Sequence, residues 1–147
     1  MRTIGFKISP KATIWAGASI RSKRITIGSE VFINVGFYFD GYDMLNIGNN
    51  VRIGPHVRII TATHKIGPPS QRGTVEVVGK PVTIDDACWI CAGVTILPGV
   101  TVEKGCVIAA NSVVFKSTER DGIYAGNPAK RVKDLSTEAD VDASHLP

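Results

Sequence analysis

The chain has 147 residues, 44% apolar and 20% charged, with 17 Lys plus Arg against 13 Asp plus Glu for a formal net charge of +4. That length accommodates one domain. A charge so modest and dispersed argues against a nucleic-acid partner, and no run of about 18 apolar residues could span a bilayer. The 17 Ile and 16 Val beside only 4 Leu, with 15 Gly and 8 Pro, exclude a mostly helical protein, because β-branched residues punctuated by glycine suit short strands and tight turns.

In chain order, apolar anchors recur at every sixth position: Ile8, Ile14 and Ile20; Ile27, Ile33 and Phe39; Ile47, Ile53 and Ile59; then Ile84, Ile90, Ile96, Val102, Ile108 and Val114 without a miss. Four residues after most anchors stands a small or β-branched residue, as at Ala12, Ala18, Val31, Val51, Val57, Cys88, Val94, Val100, Cys106 and Ser112. Neither the helical period of 3.6 nor simple alternation produces this pattern. A period of six means a short strand, a turn and another short strand, with the anchor inward each time. Three hexads close a triangular coil, and stacked coils bury the anchors in columns. The spacing predicts five coils, over residues 8–25, 27–44, 47–64, 84–101 and 102–119.

Residues 65–83 interrupt the repeat and are predicted as an extruded loop, long enough to be a functional element. Beyond residue 126, Asn127 as N-cap and Pro128 as first helical residue predict a short C-terminal capping helix from Ala129 to about Asp134, followed by a loosely packed tail to residue 147. The domain division is therefore a coil domain, 1–126, and a cap with tail, 127–147. The first residues lack the continuous apolar stretch of a secretory signal, and three cysteines are an odd number. A cytoplasmic protein with reduced thiols is expected.

Three histidines are available for chemistry. His56 follows Gly54 and Pro55 at an outward repeat position and reads as a surface residue, while His145 lies in the tail. His64 closes Thr61-Ala62-Thr63-His64 where the long loop departs; its position suits either a cleft imidazole or a solvated loop histidine. Cys88 and Cys91 are formally C-x-x-C, but the phase turns Cys88 inward and sets Cys91 at a turn, with no second pair to complete a metal site.

From Val51 to Lys133 the chain resembles the hexapeptide-repeat acyltransferases, in particular the acetyl-CoA-dependent sugar O-acetyltransferases of the galactoside, maltose and nodulation-factor type. The segments that carry the resemblance are Ile53-Gly54-Pro55, Thr61-Ala62-Thr63-His64, Gly79-Lys80-Pro81-Val82-Thr83-Ile84, Trp89-Ile90, the run from Gly93 to Val100, and Ala125-Gly126-Asn127-Pro128-Ala129. The resemblance implies an all-β, left-handed parallel β-helix and a homotrimer with sites between subunits. It implies His64 as general base for a hydroxyl attacking the thioester, work suited to a side chain that titrates near neutral pH, and Asn34 as a donor near the acceptor. Without the resemblance, Asn34 reads equally well as a repeat-turn residue.

For the coenzyme, the resemblance implies Trp89, the backbone amides of Ala92 and Ala110, Phe115 and Lys116, and Lys130 and Lys133 toward the nucleotide phosphates. With Arg131 these lysines form a basic group suited to a polyanion, or simply a solvated basic end. An exposed Trp89 is equally compatible with a plain interface. The chain departs from the resemblance in entering the coils almost at once, without the helical segment that supplies acceptor contacts in the galactoside and maltose enzymes. The acidic acceptor contact of those enzymes aligns with Tyr42, leaving Asp40 and Asp43 as substitutes. The acceptor class is therefore a saccharide hydroxyl without a named sugar, with no metal, nucleic acid or membrane expected. Two alternatives on the same fold are a non-catalytic trimeric scaffold and a zinc lyase of the γ-carbonic-anhydrase kind, which requires three converging histidines.

Overall fold

The computed structural model describes residues 5–135, which are strands and turns throughout; among them no helix is long and apolar enough to cross a membrane. Coil 1 comprises β1 (Lys7–Ile8), β2 (Thr13–Ile14) and β3 (Ser19–Ile20). Coil 2 comprises β4 (Ile25–Ile27), β5 (Phe32–Ile33) and β6 (Tyr38–Phe39), and coil 3 comprises β7 (Leu45–Ile47), β8 (Arg52–Ile53) and β9 (Arg58–Ile59). The chain then leaves the stack as an antiparallel hairpin, β10 (Ala62–Ile66) and β11 (Gly73–Gly79). Coil 4 follows as β12 (Val82–Ile84), β13 (Trp89–Ile90) and β14 (Thr95–Ile96), and coil 5 as β15 (Thr101–Val102), β16 (Val107–Ile108) and β17 (Val113–Val114). A second hairpin, β18 (Gly122–Gly126) and β19 (Ala129–Asp134), ends the described chain.

The strands line up as three parallel sheets, one per side of a triangular prism. Side 1 is β1-β4-β7-β12-β15, side 2 is β2-β5-β8-β13-β16 extended by β18 and β19, and side 3 is β3-β6-β9-β14-β17. The period predicts stacked triangular coils, and the fold is the all-β, left-handed parallel β-helix that the resemblance implies. A two-residue strand has no stability of its own. Each one is held by its neighbours above and below, as where Phe32 N–H donates to the Val51 carbonyl at 3.0 Å, Arg52 to Cys88 at 2.9 Å and Trp89 to Cys106 at 2.9 Å.

The anchors form three inward columns in register: Ile8, Ile27, Ile47, Ile84 and Val102; Ile14, Ile33, Ile53, Ile90 and Ile108; Ile20, Phe39, Ile59, Ile96 and Val114. From coil 2 upward they are buried, together with Val31, Val51, Val57, Cys88, Val94, Val100, Cys106 and Ser112. The anchors of all five coils stand where the period puts them. Cys88 and Cys106 are buried and Cys91 is half-buried at a turn; all three are free thiols. Burial pushes the Cys88 thiol up to about 12, and raises Cys91 as well.

Two expectations need correction. The loop of 65–83 is an ordered hairpin that begins at Ala62, so His64 stands on a strand, and the repeat resumes at Val82. The C-terminal helix does not form: Ala129–Asp134 is β19, antiparallel to β18, which itself pairs in parallel with β16. A six-residue helix is too short to stand without packing, whereas strand pairing satisfies the open edge that coil 5 leaves on side 2. The cap exists, made of strand. The tail from 136, with His145, lies outside the described residues.

Candidate active site

Apart from Trp89 and Lys133, which stand on the side 2 sheet, the sequence-predicted residues gather along two of the prism's three corners. Asn34 follows β5 at the corner between sides 2 and 3, and stacking places Gly54 above it, then the Cys91-Ala92 turn, then the Ala109-Ala110 turn: Asn34 N–H donates to the Ile53 carbonyl, Gly54 to Ile90, Cys91 to Ile108 and Ala109 to Tyr124, all at 2.7–3.0 Å. At the top, Gly126 N–H donates to Ser112 Oγ at 3.1 Å, drawing the β18–β19 turn over this corner. Lys130 is paired with Ala125 beside it, and Lys133 with Ile123. Asn34, Ala92, Ala110 and Lys130 thus mark one line climbing the molecule, with a rise of about 4.8 Å per coil.

Along that line the backbone is prepared for a slender ligand. Among the described residues neither the Ala92 nor the Ala110 amide donates a hydrogen bond. Gly54 has no side chain to block the first of them: a Cβ there would lie 2.7 Å from the Ala92 nitrogen. The Asn34 side-chain oxygen accepts from Val35 N–H at 2.7 Å, and among the described residues its amide NH2 donates to nothing. Trp89 stands outward on side 2 between Arg52 and Val107, 40% exposed as its phase requires. Lys130 and Lys133 are exposed.

The second line runs up the corner between sides 3 and 1. Asp40, Tyr42 and Asp43 leave coil 2 there, His64 leaves coil 3, and Phe115 and Lys116 leave coil 5, both exposed. Asp40 accepts hydrogen bonds from Thr61 N–H at 2.8 Å, Ala62 N–H at 3.0 Å, the Thr61 hydroxyl and, more weakly, Tyr42 N–H at 3.3 Å. Its carboxylate is therefore engaged in fixing the chain as it departs toward His64. Thr61, buried and given no role of its own by the sequence, also accepts from Asp43 N–H at 2.9 Å, while Asp43 Oδ1 receives Met44 N–H at 2.7 Å. Nothing in the repeat marks Thr61; only the long-range contact reveals it.

Tyr42 is 44% exposed, and its ring lies against the end of β11: a Cβ on Gly79 would fall 2.8 Å from the ring carbons. Tyr42 and Asp40 together hold the two legs of the hairpin. His64 pairs directly with Val77, so the imidazole shares one hairpin face with Val77, and the opposite face carries the Lys65–Glu76 ion pair at 2.8 Å; beyond that pair the register shifts before Ile66 meets Gly73. The His64 side chain is exposed, and among the described residues it makes no hydrogen bond. His56 sits on the other corner line with φ 58°, so the two described histidines do not converge, and no group of three or more His, Cys, Asp or Glu among the described residues could hold a metal ion.

The expected basic cluster is divided. Lys116 lies on the second line, Lys130 and Lys133 beside the first, and Arg131 is turned inward. The guanidinium donates to Asp134 at 2.6 Å, to the Tyr124 hydroxyl at 3.2 Å and to the carbonyls of Glu119, Arg120 and Asp121 at 3.0–3.1 Å. The Asp134 and Tyr124 bonds raise its pKa further. Arg131 is a clasp of the terminal hairpin. Asn34 and His64 stand on different corners, separated by the width of side 3, about 15–20 Å of extended chain.

Residues 81–116 match the family profile for bacterial transferase hexapeptide repeats, six repeats. The chain is 32% identical over 111 residues to the galactoside O-acetyltransferase of Lactococcus lactis, covering 76% of this chain and 53% of that one. The hexapeptide-repeat acetyltransferase of Vibrio cholerae, solved with acetyl coenzyme A, superposes with a TM-score of 0.83 at 32% identity, over 89% of this chain and 72% of the other. A maltose O-acetyltransferase from Clostridium difficile superposes with a TM-score of 0.81 at 31% identity, over 90% and 70%. The chain spans 55–60% of the length of the first curated relatives it matches. Repeat profile, identity and superposed coils agree that the chain belongs to the hexapeptide-repeat transferase family.

Proposed function

We propose that the protein is an acetyl-CoA-dependent O-acetyltransferase whose acceptor is a hydroxyl of a sugar or saccharide-containing molecule, and that it works as a homotrimer. The observation that carries this reading is the common order of the two corner lines. On each, the residues assigned to the acceptor stand low, at coils 2 and 3, and those assigned to the coenzyme stand high, at coils 4 and 5 and the terminal hairpin. When the first corner of one subunit faces the second corner of its neighbour, the two lines form a single cleft in matching order. A threefold ring makes three such clefts.

In that cleft the coenzyme arm runs along the free amides of Ala92 and Ala110, with Trp89 and Phe115 as apolar walls and Lys116, Lys130 and Lys133 toward its phosphates. His64 of the facing subunit accepts the proton of the acceptor hydroxyl as the oxygen attacks the thioester carbonyl. The tetrahedral oxyanion is met by a hydrogen-bond donor such as the Asn34 amide, already oriented by its bond to Val35. Collapse breaks the C–S bond, and the imidazolium returns its proton to the departing sulfur. Tyr42 and Asp43 border the acceptor, and Asp40 holds the strand that carries the base. The sugar relatives named above support the acceptor class, and the free thiols support a reducing, cytoplasmic setting.

The test is acetyl-CoA turnover over a panel of sugars, nucleotide-linked sugars and hydroxylated antibiotics, followed by His64→Ala. The variant should lose about 10² to 10⁴ in turnover with its melting and sedimentation unaltered. An unchanged rate removes His64 from the role of base.

A further inference from the structure

One exposed aromatic residue on the first corner line is left without a role. Trp15 follows β2, and its N–H donates to the Ile33 carbonyl at 2.9 Å, which sets it directly beneath Asn34 in the stack, one coil lower and about 4.8 Å along the axis. The indole is 55% exposed, more than Trp89 at 40%. It is not loose: its ring meets Phe32 edge-on, centroids 5.6 Å apart at 76°. Phe32 in turn is paired with Thr13 on one side and Arg52 on the other, and the Arg52 guanidinium is tied to the Glu30 carbonyl. Val35, the next residue after Asn34, is also exposed at 41%.

The order along the corner gives this aromatic bed its meaning. From the top, the line passes Lys130, Ala110, Ala92 and Gly54 before reaching Asn34, where acetyl transfer takes place in the reading above; the next station is Trp15. Whatever lies beyond the acyl end of the coenzyme is the acceptor. A pyranose ring has one face of C–H bonds carrying partial positive charge, complementary to the negative face of an indole, and hydroxyls around its rim for a few placed donors. An edge-braced indole beside a free amide NH2 has that chemistry.

We propose that Trp15 is the stacking platform of the acceptor site, on which a pyranose ring of the acceptor lies with a hydroxyl directed to Asn34. Phe32 positions the indole and Val35 floors the site. This deepens the acetyltransferase reading and depends on it for the direction of the cleft. It makes Trp15 a determinant of the acceptor alone: it selects cyclic sugars with an open C–H face over flexible polyols with equal hydroxyl content.

The chain has two tryptophans, so Trp89→Phe leaves Trp15 as the sole indole. Titrating that protein with methyl glucoside, methyl galactoside and methyl N-acetylglucosaminide should change its emission saturably with at least one of them, while sorbitol changes nothing. In the otherwise native protein, Trp15→Ala should raise the acceptor KM about tenfold or more and leave the acetyl-CoA KM unchanged, with Trp15→Phe recovering part of the loss. An emission that ignores every pyranoside overturns the proposal, as does an acceptor KM indifferent to Trp15→Ala. So does dissociation of the oligomer in Trp15→Ala with the emission blind to sugars, which would make Trp15 a contact with a second copy. Saturable sugar binding at Trp15 without acetyl transfer to any acceptor would instead sink the acetyltransferase reading and leave the platform standing.

Discussion

The coil stack and the β10–β11 hairpin are both β-structure, and they are held together in opposite ways. In the coils no strand exceeds three residues, and the anchors above coil 1 are almost wholly buried. The hairpin has a seven-residue strand, yet Ile66 and Val75 are 87% and 86% exposed. The first is ordered by contacts one coil away and the second by its own pairing and by two footholds, Asp40 on Thr61–Ala62 and Tyr42 on Gly79. A prism filled by its own anchors leaves no room inside for a substrate. The chemistry therefore gathers on the corners and where the repeat is broken, and an element that adds little to stability carries the candidate base.

The sharpest way to break this contrast is Phe39→Ala. Phe39 is fully buried in the side 3 column, and its truncation should cost about 3–5 kcal/mol in chemical denaturation; a loss below 1 kcal/mol would mean that the coils do not depend on their columns. Next is Asp40→Ala, which strips the Thr61 and Ala62 amides of their acceptor. We expect about 1–3 kcal/mol of destabilisation, and a fall in turnover beyond what partial unfolding explains, because the strand bearing His64 loses its anchor; Asp40→Asn should recover part of both. Normal turnover in a folded Asp40→Ala protein would uncouple the hairpin from the site.

A smaller effect comes from the thiol inside the stack. The folded Cys88 pKa, near 12, lies above the ordinary value of 9.0 because burial opposes the thiolate. Above pH 9 the unfolded chain releases this proton and the folded chain keeps it, so the stability the thiol contributes is complete below pH 9 and is lost as pH rises toward 12. The limiting slope is about 1.4 kcal/mol per pH unit. Denaturation midpoints of the native protein and Cys88→Val between pH 8.5 and 10.5 should diverge, the native protein falling faster. Parallel slopes would contradict a buried thiol.

How much of this was legible beforehand follows from the same contrast. Ile84, Ile90 and Ile96 could be placed from the period alone, because a hexad gives each residue one address and the register repeats it coil after coil. The inward Cys88 and the turn position of Cys91 follow from that phase. Off the repeat, legibility ends. Asn127-Pro128 carries a local helix-start signal, but the edge of β16 recruits β18, and β18 recruits residues 129–134, a pairing that no local signal announces. Asp40 reads as a free carboxylate at a corner until Thr61, twenty-one positions later, is seen to lie against it. Asn34 follows β5 and His64 stands on β10, and the structure puts them on different corners.

The smallest expected effect concerns the hairpin surface. Replacing Ile66 and Val75 by Ser removes two exposed apolar side chains that no column supports. Substitutions away from buried features stay within about 0.5 kcal/mol, so the melting of an isolated subunit should scarcely move, in contrast to Phe39→Ala. The rate measures something else. Ile66 and Val75 lie in the irregular part of the hairpin beyond the His64–Val77 pair, and in the proposed trimer the hairpin reaches toward the first corner of the neighbouring subunit. If the apolar surface is covered there, the double variant should weaken assembly, and specific activity should fall on dilution and return at high protein concentration. Activity independent of concentration, at unchanged stability, would show that the hairpin carries His64 without joining the neighbour, and the second wall of the cleft would have to come from side 3 alone.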